Sequence, residues 1–332
     1  MLASEIIRRV REIQVRTGRQ VADVLAGEYI SVFKGGGVEF DEVRPYTPGD
    51  DVRSIDWNVT ARTGEPYIKR YVEERQLTLM LMADVSASQE FGSGTRSKRD
   101  ATAELCALLA FSAIRNDDKV GLVLFHGDIE QYIPPRKGQK HALRVVREVL
   151  AHGSENDAAG PRLPAAARET PTKRSAVDRV RSLLGVGGRT LRRAHQSTDI
   201  AAATEFIMSV CKRRAVCFVV SDFLDENFEN ALRSANRKHD VIAVLVSDPR
   251  ELELPSVGLV TMRDAETGEI GLYDTASSAF RHRLAEQSHA RINDLERRLR
   301  SSGIDFIHID AADSVVEPLV KFFRMRERRQ RR

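Results

Sequence analysis

The spacing of hydrophobic positions along this chain alternates between two kinds. Five short, near-continuous apolar runs, LTLMLMA (77–83), VGLVLF (120–125), AVCFVV (215–220), VIAVLV (241–246) and IDFIHI (304–309), read as strands covered on both faces. Between them, apolar residues recur at helical spacing over 97–116, 138–152, 198–213, 227–238 and 277–302, with a last such pattern from Ser314. Strands and helices in this alternation predict a parallel sheet made of βαβ units, wound in both directions into a three-layer α/β sandwich. Shorter pieces at 129–133, 259–263 and 269–273 predict hairpin decorations or an antiparallel edge.

Outside this rhythm the texture differs. Ile6, Ile7, Val10 and Ile13 sit at helical spacing behind Ser4, a candidate N-cap, so residues 1–26 are expected to open the chain with an amphipathic helix. Residues 27–76 contain YISVF and PYIKRYV, which alternate as strands do. They are broken by Gly35–Gly37 and by the turn-rich Pro48–Asp51, which predicts a small β-containing unit beside a main domain at 77–322. In that unit Asp50 or Asp51 can pair with Arg44 or Arg53. Trp57, the only tryptophan, is expected to pack the unit on the sandwich, with an exposed partner anchor as the alternative. Residues 153–194 are rich in Gly, Pro, Ala and Arg and are expected to be a disordered insertion with a transient helix near 175–184.

Composition narrows the classes. With 42% apolar and 30% charged residues in 332, collagen-like, rod-like and wholly disordered chains are excluded. No apolar stretch approaches the ~20 residues that cross a bilayer. The arginine-interrupted start lacks the apolar core of a secretory signal, so the chain reads as cytoplasmic with no transmembrane segment. Three cysteines, Cys106, Cys211 and Cys217, lack zinc spacing and read as buried free thiols. The net charge of +4 resides in RERRQRR at the end of a basic tail, 323–332, where five arginines and one glutamate leave the other residues neutral. That tail reads as a solvated, frayed helix end, and a nucleic-acid role rests on it alone.

The chemistry sits where strands end. In open α/β sheets ligands bind at the carboxyl ends of the strands. After the first predicted strand comes Asp84-Val85-Ser86-Ala87-Ser88, and after the third comes Ser221-Asp222. Ser197-Thr198-Asp199 stands just before a helix. All three groups are expected on one solvent-facing rim. Carboxylates and hydroxyls without His or Cys form a hard oxygen-donor set suited to Mg²⁺ or Mn²⁺. Asp84, Ser86, Ser88, Thr198 and Asp222 are therefore the candidate metal ligands, against the alternative that they are helix caps and turn formers. Repulsion between Asp84 and Asp222 leads to the expectation that Asp222→Ala would stabilise the metal-free protein.

These residues carry a resemblance. DVSAS, STDI and VVSDF look like the three loops of the metal-ion-dependent adhesion site of von Willebrand factor A-like domains. The stretch GEYISVFKGGGVEFDEVRPYTPGDDVRSIDWNVTARTGEPYIKRYVEER is similar to the signature of the bacterial family called domain of unknown function 58. Gln89 stands where the adhesion motif often has methionine. The resemblance implies a Rossmann-type von Willebrand A-like domain that binds Mg²⁺ through the five residues above. It further implies a non-enzymatic module that captures an acidic side chain of a protein partner and works with a MoxR-type AAA+ ATPase in assembling or maturing other complexes. The alternative is a metal-dependent hydrolase or phosphatase using the same aspartate and serine site. Against it, Ser86 stands where a dehalogenase-like phosphatase needs its second carboxylate, and no G-x-S-x-G is present.

Overall fold

A computed structural model describes residues 37–74, 76–152, 198–263 and 270–330, together with Glu12. Apart from Glu12, the expected N-terminal helix within 1–26, the YISVF strand at 29–33 and the 153–194 insertion lie outside the described residues. The chain divides into two compact units, residues 33–77 and the remainder.

In the smaller unit, β1 (Gly37–Pro45) pairs antiparallel with β2 (Tyr67–Glu74), with a bulge between Phe40 and Glu42. The connection carries a 3-10 turn at Val52–Ser54 and helix α1 (Trp57–Thr63). Of the pairings open to the sequence, the structure selects Arg44 with Asp50, whose carboxylate accepts both guanidinium nitrogens at 2.9 and 2.7 Å. It also accepts the backbone N–H and the hydroxyl of Thr47. The Arg44 hydrogen bond, then those from Thr47, hold Asp50 well below the usual carboxylate range. Asp51 caps the 3-10 turn, Asp56 caps α1, and Gly64 ends it at a φ of 81°, a left-handed position that suits glycine. Trp57, expected as a packing residue, opens α1 with 68% of its surface exposed.

The larger unit is a mixed α/β structure around a six-stranded, mostly parallel sheet flanked by helices. In chain order its elements are β3 (Thr78–Asp84), α2 (Lys98–Arg115), β4 (Lys119–Phe125), β5 (Ile129–Arg136) and α3 (Gln139–His152). There follow α4 (Ile200–Val210), β6 (Val216–Ser221), α5 (Glu229–Lys238), β7 (Asp240–Ser247) and the short α6 (Pro249–Leu252). Next come the hairpin β8 (Leu259–Arg263) and β9 (Ile270–Asp274), α7 (Ser278–Ser301), β10 (Asp305–Asp310) and α8 (Val316–Gln330). The sheet order is β10-β7-β6-β3-β4-β5, parallel throughout except for the antiparallel edge strand β5.

Strands β3, β4, β6 and β7 are buried almost end to end, which is why they read as unbroken apolar runs. Helix α2 is apolar around most of its circumference, and thirteen of its residues, from Lys98 to Ala113, are buried. The three cysteines are free and buried, and burial pushes the Cys106 thiol up to about 12. Among the described residues no helix is long and apolar enough to cross a membrane.

The basic tail is less solvated than its sequence implied. Arg326 on α8 binds Asp240, at the start of β7, through both terminal nitrogens at 2.7 and 2.6 Å, and Asp305, at the start of β10, at 2.6 Å. Its side chain is only 14% exposed. These bidentate bonds tie the terminal helix to the amino-terminal edge of the sheet, far from the ends that carry the candidate ligands.

Candidate functional site

The chain runs outward from β3 through β4 to β5, then returns to β6 on the other side of β3 and continues to β7 and β10. The order therefore reverses between β3 and β6, where open α/β sheets hold their ligands. Asp84 is the last residue of β3 and Asp222 follows the last residue of β6. Ala83 pairs with Val220 across the two strands, so the carboxylates emerge side by side.

Local chemistry shapes the loop after β3. The Asp84 carboxylate accepts the Ser86 backbone N–H at 2.9 Å, an Asx turn that swings the chain out of the sheet and into the 3-10 turn Ala87–Glu90. Ser86 and Ser88 hydroxyl oxygens then lie 2.9 Å apart, and Ser88 Oγ donates to Asp222 Oδ2 at 2.7 Å. On the other side Ser221 Oγ donates to Asp84 Oδ2 at 2.6 Å. Four of the five predicted residues, Asp84, Ser86, Ser88 and Asp222, are thus joined with Ser221 in one hydrogen-bonded cluster.

Thr198 is placed differently. The residue after it, Asp199, donates its N–H to the carbonyl of His126 beyond β4, and Ile200 donates to Asp225 beyond β6. Thr198 is therefore held between the loops that follow these strands, but no hydrogen bond links it to the other four. Its hydroxyl is buried without a partner, as are both amide atoms of Gln89 next to Ser88. A buried polar atom without a partner costs about 1–3 kcal/mol.

The expected solvent-facing rim is corrected by the structure. Asp84, Ser86, Ser88, Thr198 and Asp222 are all buried, at 2, 1, 7, 4 and 2% exposure. The segment between Ser88 and α2 is tied to loops at the same strand ends. Ser93 donates its N–H and hydroxyl to Asp248 at the end of β7, and Arg96 donates to the carbonyl of Ala311 after β10. Gly92 lets this segment fold tightly, since a Cβ there would meet Ser97 Cα at 2.6 Å and the Arg96 carbonyl at 2.7 Å. Both are backbone atoms that cannot swing away, so Gly92→Ala is expected to destabilise the protein by about 1–3 kcal/mol in urea denaturation.

Electrostatics adds a residue that the sequence did not single out. Lys98, the first residue of α2, is fully buried, and its ammonium donates to Asp222 Oδ2 at 3.1 Å and to Glu251 Oε1 at 2.7 Å. Burial works against that charge, but the fields of Asp222 and Glu251 outweigh it and leave the pKa above the ordinary lysine value. Burial first, and then the Asp222 charge, push the Asp84 carboxyl up to about 7. The Lys98 pairing works against the expectation that removing Asp222 would relieve the site, because the substitution would also take an acceptor from a buried ammonium.

Lys98, Ser221 and Glu251 were hidden for ordinary reasons. Lys98 lies in Ser97-Lys98-Arg99-Asp100, which reads as a solvated helix start, and Glu251 reads as the partner of Asp248 in a capping box. Ser221 was visible beside Asp222, but nothing in the spacing reveals that its hydroxyl turns back to Asp84. Among the described residues no group of three or more His, Cys, Asp or Glu side chains is placed to hold a metal ion. A metal here would have to use the hydroxyls.

Fold and cluster together define an α/β protein with a buried polar site at the switch point of a mostly parallel sheet. The chain belongs to the family described as protein of unknown function DUF58, whose model matches residues 42–293. An uncharacterized protein of Mycobacterium tuberculosis is 29% identical over 320 residues, covering 96% of this chain and 89% of its own length. An uncharacterized protein of Mycobacterium avium is 31% identical over 131 residues, 39% of this chain and 77% of that one. Among solved structures, the conserved hypothetical protein BatB from Bacteroides thetaiotaomicron shares 15% identity at a TM-score of 0.40, over 76% of this chain and 99% of its own.

Proposed function

We propose that this protein is a non-enzymatic, metal-dependent protein-interaction module of von Willebrand A type. In this reading its site captures an acidic side chain of a protein partner, in concert with a MoxR-type AAA+ ATPase that assembles or matures other complexes. The observation that carries the metal reading is the hydrogen-bonded line from Ser86 through Ser88 to Asp222, set beside Asp84 where the strand order reverses.

The donor set fits a hard divalent cation. It consists of oxygens only, two of them carboxylates, and the partnerless hydroxyl of Thr198 is the kind of orphan that a bound ion or its water shell would satisfy. Ser86, Ser88 and Thr198 would hold the ion with their hydroxyls, with Asp84 and Asp222 supplying charge. When bound, Mg²⁺ or Mn²⁺ would supply a coordination position for a carboxylate from another protein, which for ligands this buried requires the loop after β3 to give way. Ser88 orients Asp222, Ser221 orients Asp84, and the Ser93–Asp248 tie keeps the loop over the strand ends. The partner assignment is supported by the resemblance of the 27–76 stretch and of the three loops.

Calorimetric titration of Mg²⁺ into the protein and into the Ser86→Ala, Ser88→Ala double variant tests the site. Affinity is expected to fall by at least about tenfold. An unchanged titration would remove the metal assignment. Affinity capture with Mg²⁺ or with chelator, read by mass spectrometry, tests the partner. An AAA+ ATPase that is retained only with metal and only by the unsubstituted chain is the expected result.

A further inference from the structure

The first turn of a helix favours acidic residues, since its unpaired N–H groups carry partial positive charge. Helix α2 follows that rule with Asp100, which completes a capping box with Ser97. Lys98 breaks it. A lysine at the first helical position gains nothing from the helix, and complete burial of its ammonium is costly unless strong partners surround it.

Its two partners are held independently of it. Asp222 Oδ2 accepts the Lys98 ammonium at 3.1 Å and the Ser88 hydroxyl at 2.7 Å, so a single oxygen joins the lysine to the serine line. Glu251 uses one carboxylate oxygen for the Asp248 N–H at 3.1 Å and the other for Lys98 at 2.7 Å. The Asp222 and Lys98 side chains are 3 and 0% exposed, and that of Glu251 is 33% exposed. The ammonium thus stands between an inner carboxylate that belongs to the candidate cation site and an outer one fixed by its own helix cap.

We propose that Lys98 is a built-in counter-cation that sets how tightly the Asp84–Asp222 site takes a divalent ion, with Glu251 as the anchor that draws its charge away from Asp222. This rests on the metal reading above. The lysine leaves Asp222 partly neutralised, so an incoming ion meets less negative charge than two free carboxylates would offer. Removing the lysine charge strengthens cation binding. Removing the Glu251 charge leaves the ammonium to Asp222 alone and weakens it. A lysine serving packing alone predicts no such opposite pair of effects.

The test is calorimetric titration of Mg²⁺ into the full chain, Lys98→Met, Lys98→Arg and Glu251→Gln, with folding checked by circular dichroism. Lys98→Met is expected to bind at least about tenfold more tightly, Glu251→Gln more weakly, and Lys98→Arg close to the unsubstituted chain. Thermal melts with chelator and with Mg²⁺ give a second readout, in which the Mg²⁺-induced rise in Tm grows in Lys98→Met and shrinks in Glu251→Gln. Should Lys98→Met fail to fold, Glu251→Gln decides the matter by the sign of its change. If the unsubstituted chain binds Mg²⁺ and the charge-removing variants bind it equally, the counter-cation role is overturned and the metal site stands. If no form binds Mg²⁺, the metal reading falls and this inference falls with it. Binding seen only in Lys98→Met supports both.

Discussion

Asp222→Ala is expected to destabilise the metal-free protein by about 3 kcal/mol, the lower end of the range for breaking a buried ion pair by deleting one partner. The substitution takes an acceptor from the fully buried Lys98 ammonium and from the Ser88 hydroxyl at once. It does relieve the repulsion that raises Asp84. That gain is smaller, because in the unsubstituted protein Asp222 already has Lys98 beside it, whereas the variant leaves a buried cation with Glu251 alone. Glu251 is why the loss stays at the lower end. Urea denaturation in chelator gives the measurement, and adding Lys98→Met to Asp222→Ala should restore part of the lost stability. A stabilised single variant would show that the Asp84–Asp222 repulsion outweighs the lysine pair.

Asp84→Asn is expected to change how stability depends on pH. The folded protein holds the Asp84 carboxyl at about 7, above its ordinary value of 3.8, through burial and then the charge of Asp222. A group raised by folding contributes stability that is fully present below its unfolded pKa and is lost as pH rises through the folded one. In chelator the unsubstituted protein should therefore lose stability between about pH 4 and 7, with a slope of up to ~1.4 kcal/mol per pH unit from this group. Asparagine stays neutral and can accept the Ser86 N–H as aspartate does. Asp84→Asn should thus be more stable than the unsubstituted chain by about 2–4 kcal/mol at pH 8, and the gap should close towards pH 4. Denaturation midpoints of both proteins across this window check it. A gap that does not widen with pH would mean that Asp84 ionises as an ordinary carboxylate.

Much of the sheet could be read directly. The runs at 120–125, 215–220 and 241–246 became β4, β6 and β7 within a residue at each end, because strands buried on both faces must be apolar throughout. The helix pattern at 97–116 became α2, bounded by the Ser97 capping box. That Asp84, Ser86, Ser88 and Asp222 stand at strand ends could be read because strand ends and loop residues are local properties of the chain, and the structure brings these four together. Thr198 was singled out by the same rule, and the structure keeps it near the strand ends without joining it to the cluster.

What remained hidden depends on contacts over long distances in sequence. Lys98 meets Asp222 across 124 positions and Glu251 across 153, and Ser221 meets Asp84 across 137. A lysine in a charged helix start carries no local sign that it will be buried, and a serine carries none of the direction in which its hydroxyl turns. By itself the sequence determined the sheet strands and long helices of the larger unit and which oxygen-bearing residues follow the strands, since hydrophobic period and turn chemistry act over a few neighbours; strand β1 and helix α1 of the smaller unit were not read from it. Only the tertiary structure decided that the candidate ligands are buried rather than facing solvent, because burial depends on loops distant in sequence that meet at these strand ends, among them the Ser93–Asp248 and Arg96–Ala311 ties. It also decided that a lysine ammonium shares their charge, because three strand ends distant in sequence meet at one edge of the sheet.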